Sequence, residues 1–147
     1  MKKLSLFLVF VIAFVWSCGY GMHYTKSIVP VPGNIMAIRV MDVEDMKVKT
    51  RHGEVGSGKA EFIKNILIND LLQTQKFRIT DDAEYALFVK IDDYKAGYRK
   101  YIALSANIIK TKTNETVWGS SISGISKKYI DDVIRKTVKE LVVEMTK

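Results

Sequence analysis

Two stretches of this sequence carry residue types whose spacing suits chemistry. Gly53-Glu54-Val55-Gly56-Ser57-Gly58-Lys59-Ala60 comes one residue short of the pattern G-x-x-x-x-G-K-[ST], in which backbone N–H groups cradle phosphates and a hydroxyl ligates Mg²⁺. Ala60 stands where that hydroxyl should be, and the preceding Lys47-Val48-Lys49-Thr50-Arg51-His52 is too charged for the buried parallel strand such a loop must follow. No nucleotide is expected there, although the loop's N–H groups could still hold a phosphate on an anionic lipid. The second stretch, Tyr94 to Tyr101, interleaves three cations with three tyrosines across a strand connection. Lys and Arg supply charge for phosphate, and tyrosine supplies an amphipathic surface at a membrane or protein interface. Lys95, Tyr98, Arg99, Lys100 and Tyr101 are therefore the candidate partner-binding residues. The plainer alternative is that the tyrosines cover a sheet edge while the cations keep it soluble.

The remaining reactive side chains form no such pattern. His23 and His52 are far apart, so a metal pair is not expected. Asp81-Asp82 and Asp92-Asp93 fall where strands should end, and Asp131-Asp132 falls at a helix start. No Ser/His/Asp ordering stands out. We expect a protein that is not an enzyme and uses no cofactor.

The only cysteine follows a distinctive segment. Met1-Lys2-Lys3 is a short positive start, and Leu4 to Trp16 is an apolar run broken only by Ser5. As a helix that run would span about 20 Å, short of the roughly 30 Å hydrocarbon core. A positive start, a short apolar stretch and a small residue before the cut make a secretory signal, assigned here to residues 1–17. Val15, Ser17 and Cys18 resemble the lipobox of bacterial lipoproteins, whose cysteine is acylated and becomes the first mature residue. That resemblance implies lipid attachment at Cys18 through palmitate-type chains, and Gly19 in place of an aspartate implies the outer membrane. The expected location is the cell outer membrane, lipid-anchored and facing the periplasm. Nucleotide and nucleic acid are then not expected partners. The excess of 23 Lys+Arg over 16 Asp+Glu is accordingly read against anionic lipid.

The mature chain must supply the elements that position these residues. Residues 18–33, with Gly19, Gly21, Gly33, Pro30 and Pro32, read as a lipidated tether. Residues 34–147 read as one α+β domain. Asn34 to Met41 alternates as a strand, and residues 42–58 read as a polar loop. Ile63, Ile66, Leu67 and Leu71 fall at helical spacing, with Ser57 a plausible N-cap. Phe77 to Thr80, Tyr85 to Ile91, Tyr101 to Thr111 and Thr116 to Ser123 read as strands, the last two joined by a Thr113-Asn114-Glu115 turn. Tyr129 to Thr146 closes the chain as a helix, apolar along Ile130, Val133, Ile134, Val138, Leu141, Val142 and Met145. The expected fold is a mixed, mostly antiparallel four- to five-stranded sheet with two helices on one face, in the order β-α-β-β-β-β-α. The strands flanking the first helix should be parallel.

Several of these features occur together in one order: Cys18-Gly19-Tyr20, Val31 to Ile35, the helix through Phe62 to Leu67, Phe77-Arg78-Ile79, Ala83 to Leu87, Tyr101 to Lys110, and Thr113 to Trp118. This resembles the lipopolysaccharide-assembly lipoprotein family, whose members sit as plugs in the outer-membrane β-barrel that inserts lipopolysaccharide into the outer leaflet. The resemblance implies an outer-membrane β-barrel protein as partner and lipopolysaccharide, or another anionic lipid, as ligand. The Ala-Glu-Tyr and Val-Trp elements are also similar to those of curli-type secretion-channel lipoproteins and of activators of penicillin-binding proteins. The alternative function is therefore a periplasm-facing scaffold or regulator of a secretion channel or peptidoglycan synthase.

Overall fold

The computed structural model describes residues 21–147; the expected signal peptide and Cys18 lie outside the described residues. The described chain is α+β: a six-stranded mixed sheet, two helices and a separate two-stranded hairpin.

Three long strands form the centre, where alternation in the sequence is strongest. β6 (Tyr85–Lys95), β7 (Lys100–Lys110) and β8 (Glu115–Ser126) make an antiparallel meander. Asn114 takes a positive φ of 54° in the β7–β8 turn, a conformation its short polar side chain tolerates. On the outer side of β6 lies β2 (Ala37–Val40), parallel to it, with the two-residue β5 (Arg78–Ile79) parallel beyond. The expected parallel pairing across the first helix is thus present. With β1 (His23–Ser27) beyond β8, the strand order is β1-β8-β7-β6-β2-β5.

Two elements depart from the expected four- to five-stranded sheet. β1 (His23–Ser27) pairs antiparallel with β8 and makes the sheet six-stranded. It lies inside the segment read as a tether, most of its residues are exposed, and as an edge strand it needs no apolar alternation. The chain after it is also engaged: Val31 is buried, its N–H donates to the carbonyl of Met145, and the indole N–H of Trp118 donates to the carbonyl of Val29 at 2.8 Å. The polar loop contains the exposed hairpin β3 (Val48–Thr50) and β4 (Gly53–Val55).

The helices α1 (Ala60–Thr74) and α2 (Ile130–Met145) cover one face of the sheet. The buried residues of α1 are Ile63, Ile66, Leu67 and Leu71, the stripe its spacing predicts. α2 adds a residue that hydropathy alone would not select. Thr137 is fully buried, and its hydroxyl donates to the carbonyl of Val133 at 2.7 Å, so burial leaves no polar group unpaired. The two helices run parallel. Both begin at the sheet end where β6 and β8 finish, and Lys59 joins Asp131 there at 2.8 Å. The N-cap of α1 is Lys59, without a side-chain cap; Ser57 does not cap the helix but lies in the loop before it.

Candidate functional site

The backbone N–H groups of the glycine-rich loop have an occupant. The N–H of Ser57 donates to one carboxylate oxygen of Asp45 at 3.0 Å, and the N–H of Gly58 donates to the other at 2.9 Å. The Ser57 hydroxyl adds a third bond to Asp45 at 2.5 Å. Burial opposes ionisation of this carboxyl, but the hydrogen bonds from Ser57, Gly58 and Met46 outweigh it and hold Asp45 below the usual range. The chain's own carboxylate therefore takes the place that an external phosphate could have filled. Gly53–Val55 is itself strand β4 of the exposed hairpin, so the buried parallel strand of a nucleotide-binding loop is missing here.

The tyrosine-cation stretch is divided by the strands that hold it. Lys95 ends β6 and Tyr101 stands opposite it on β7. The Lys95 ammonium lies 5.5 Å from the Tyr101 ring centre and 3.1 Å from a carboxylate oxygen of Asp93. These two residues thus satisfy each other beside the sheet. Tyr98, Arg99 and Lys100 instead reach the end of the sheet, where Tyr98 is 76% exposed.

Register brings further residues to that end. Lys100 is paired with Ser126, so the β8–α2 junction, Lys127-Lys128-Tyr129, arrives beside the β6–β7 turn. The Lys127 ammonium sits 5.1 Å from the Tyr98 ring centre, which fastens the two loops by a cation–π contact. Lys100, Lys127, Lys128, Tyr129 and Asp132 line one open depression. Lys136 is held below its ordinary value by the Lys128 ammonium beside it. Among the described residues, Arg99, Lys100, Lys127, Lys128 and Lys136 form no ion pair, whereas Lys26, Lys59, Lys64 and Lys110 all do. Five cations outside any ion pair, with Asp132 the one carboxylate lining the depression and two exposed tyrosines among them, make a surface for anionic groups.

Sequence reading missed Lys127, Lys128, Tyr129 and Lys136. The available signal was the run Lys127-Lys128-Tyr129, which follows the second strand of a predicted hairpin as Tyr98 to Tyr101 opens the first, with similar composition. The sheet carries a second depression, rich in hydroxyls from Thr25, Ser27, Tyr101, Ser121 and Ser123 and lined also by Lys26 and Asp92. Among the described residues no three of His, Cys, Asp and Glu gather closely enough to hold a metal ion, and no helix is long and apolar enough to cross a membrane.

No family model and no curated protein matches the sequence. Solved structures do match. PelC from Paraburkholderia phytofirmans, solved as a dodecamer, aligns with a TM-score of 0.62 at 12% identity over 86% of this chain and 98% of its own. Protein XCC0632 from Xanthomonas campestris aligns with a TM-score of 0.56 at 10% identity, over 80% of this chain and 90% of its own. Lipoprotein GNA1162 from Neisseria meningitidis aligns at 0.50 and 8% identity, over 74% and 96%. The likeness is one of fold. This arrangement of sheet and paired helices is thus found in bacterial proteins that include a lipoprotein.

Proposed function

We propose that this protein is a lipoprotein of the bacterial outer membrane, anchored at Cys18 and facing the periplasm. It works without catalysis as a binding partner in the assembly of the cell surface. The observation that carries the reading is the end of the sheet at which Lys100, Lys127 and Lys128, none of them in an ion pair, gather with the exposed Tyr98 and Tyr129 around a depression whose one carboxylate is Asp132. Such a surface recognises phosphorylated glycolipid or another anionic envelope component by charge and by tyrosine contact, without any arrangement for bond making. The resemblance of the sequence to lipopolysaccharide-assembly lipoproteins supports lipopolysaccharide as the ligand class and an outer-membrane β-barrel as the protein partner.

A second reading is favoured by one specific observation. PelC, whose fold this chain shares over 86% of its length, assembles as a dodecamer. On that reading the chain acts in several copies, as a scaffold beside a secretion channel.

Affinity isolation of the C-terminally tagged protein from solubilised membranes separates the two. α2 carries the C-terminus away from the basic end, so a tag there leaves the surface free. Stoichiometric recovery of a large β-barrel protein supports the first reading. A self-assembled ring recovered with a secretion channel supports the second, and an unacylated monomer recovered alone contradicts both.

A further inference from the structure

The β1–β8 register fixes where the chain enters the domain. His23 stands opposite Ile125, while Lys100 stands opposite Ser126, so β1 begins at the basic end of the sheet. From Cys18 to His23 the backbone advances five residues, at most about 18 Å when fully extended. Whatever holds Cys18 therefore lies within that reach of His23, at the end of the sheet that carries Lys100 and Lys127.

The β6–β7 turn and the β8–α2 junction bring Arg99, Lys100, Lys127 and Lys128 to this end, with Lys136 close by on α2 and Asp131 and Asp132 as the carboxylates beside them. Tyr98 and Tyr129, 76% and 83% exposed, stand among these cations. Tyrosine settles at the boundary of headgroup and water because one end of its ring is apolar and the other wet.

We propose that this end of the domain, comprising the β6–β7 turn and the β8–α2 junction, docks onto the anionic phospholipid headgroups of the leaflet that holds Cys18. The inference rests on the anchored reading above and names the anionic partner of that surface. An acyl anchor alone leaves a domain free to swing. A polybasic surface within about one Debye length of the headgroups adds a second hold, roughly fivefold in membrane partition for each basic residue. Docking also fixes orientation. The helices then stand with their N-termini toward the membrane, and the β7–β8 turn and the C-terminus point into the periplasm.

The test uses the acylated full chain reconstituted into phosphatidylcholine vesicles with or without phosphatidylglycerol, after its mass has shown the state of Cys18. Tyr129→Trp places an indole at the docking surface, and bromine-labelled lipids quench only an indole that reaches them. Trp118, buried near the opposite end of β8, supplies the unquenched reference. The expected result is several-fold quenching of the introduced indole over that of Trp118, stronger with phosphatidylglycerol. The triple variant Lys100→Gln, Lys127→Gln, Lys128→Gln should abolish that increment while leaving the far-ultraviolet dichroism unchanged. An acylated protein whose introduced indole is unaffected by brominated lipid overturns the inference and leaves the anchor standing. So does an indole that responds to a soluble phosphorylated glycan but not to phosphatidylglycerol. A chain recovered without acyl mass overturns the anchor and this inference together.

Discussion

Across the β1–β8 ladder His23 faces Ile125, and this single register ties the entry of the chain to the end of the sheet that carries Tyr98 and Lys127. The segment after Cys18 is therefore short on the side of the cationic surface. A glycine- and proline-bearing stretch that reads as a free tether becomes instead a strand followed by a buried Val31.

The buried hydrophobic residues of the described fold run from Val31 to Met145, so losing an anchor at Cys18 should not disturb it. Cys18→Ser should shift the protein from the membrane to the soluble fraction while its thermal midpoint stays within about a degree of the parent. Fractionation together with calorimetry checks both halves.

β1 is fastened to α2 through Lys26, whose ammonium reaches Glu140 and Glu144, each at 2.5 Å. Hydrogen bonds from Lys147 and then Lys26 pull the Glu144 carboxyl down from 4.5 to about 2. A depressed carboxyl stabilises the fold fully above its ordinary value, and that contribution fades as pH falls from about 4.5 through about 2. Lys26→Met should therefore lower the urea midpoint and the amide protection of β1 at neutral pH. The difference from the parent should vanish near pH 2.

At Gly124 β8 passes close to Thr137 of α2. A methyl group there would come within 2.1 Å of the Thr137 hydroxyl oxygen and 3.3 Å of its Cβ. Gly124→Ala should destabilise the domain by about 1–3 kcal/mol through overpacking. Thr137→Ala in the same chain should recover part of that loss, because the hydroxyl is the nearer obstacle. Chemical denaturation of the two single variants and the double variant measures the coupling.

Asp45 closes the glycine-rich loop onto the start of α1. Replacing it by alanine leaves the N–H groups of Ser57 and Gly58 without their acceptor, at a cost of about 1–3 kcal/mol. Amide exchange should quicken first at Ser57 and Gly58. Unchanged exchange there would show that water already shares these donors.

What the sequence revealed follows from how each element is buried. β6 and β7 are covered on one face, so Val89, Ile91, Ile102 and Leu104 alternate with more exposed residues and the strands are legible. α1 and α2 lay one stripe on the sheet and show the helical period for the same reason. β1 and the β3–β4 hairpin bury almost nothing, and no hydropathy pattern can announce a strand held by its backbone alone. The candidate surface was half legible. Tyr98, Arg99 and Lys100 are adjacent in sequence, whereas Lys127, Lys128 and Tyr129 join them only through the β7–β8 register. Likewise, nothing in the spacing of Gly53 to Ala60 shows that Asp45 fills the loop.

The most direct test of the account compares the two ends of β7 in the anchored protein. Nitroxide labels attached through Tyr98→Cys and Thr113→Cys flank β7, whose 11 residues extend about 35 Å, and acylation of Cys18 leaves each introduced thiol as the sole labelling site. Collision rates with membrane-soluble oxygen and with a water-soluble nickel complex report which label meets the bilayer. The account predicts oxygen contact at position 98 and water contact at position 113. Equal accessibility to the nickel complex at both positions would contradict it.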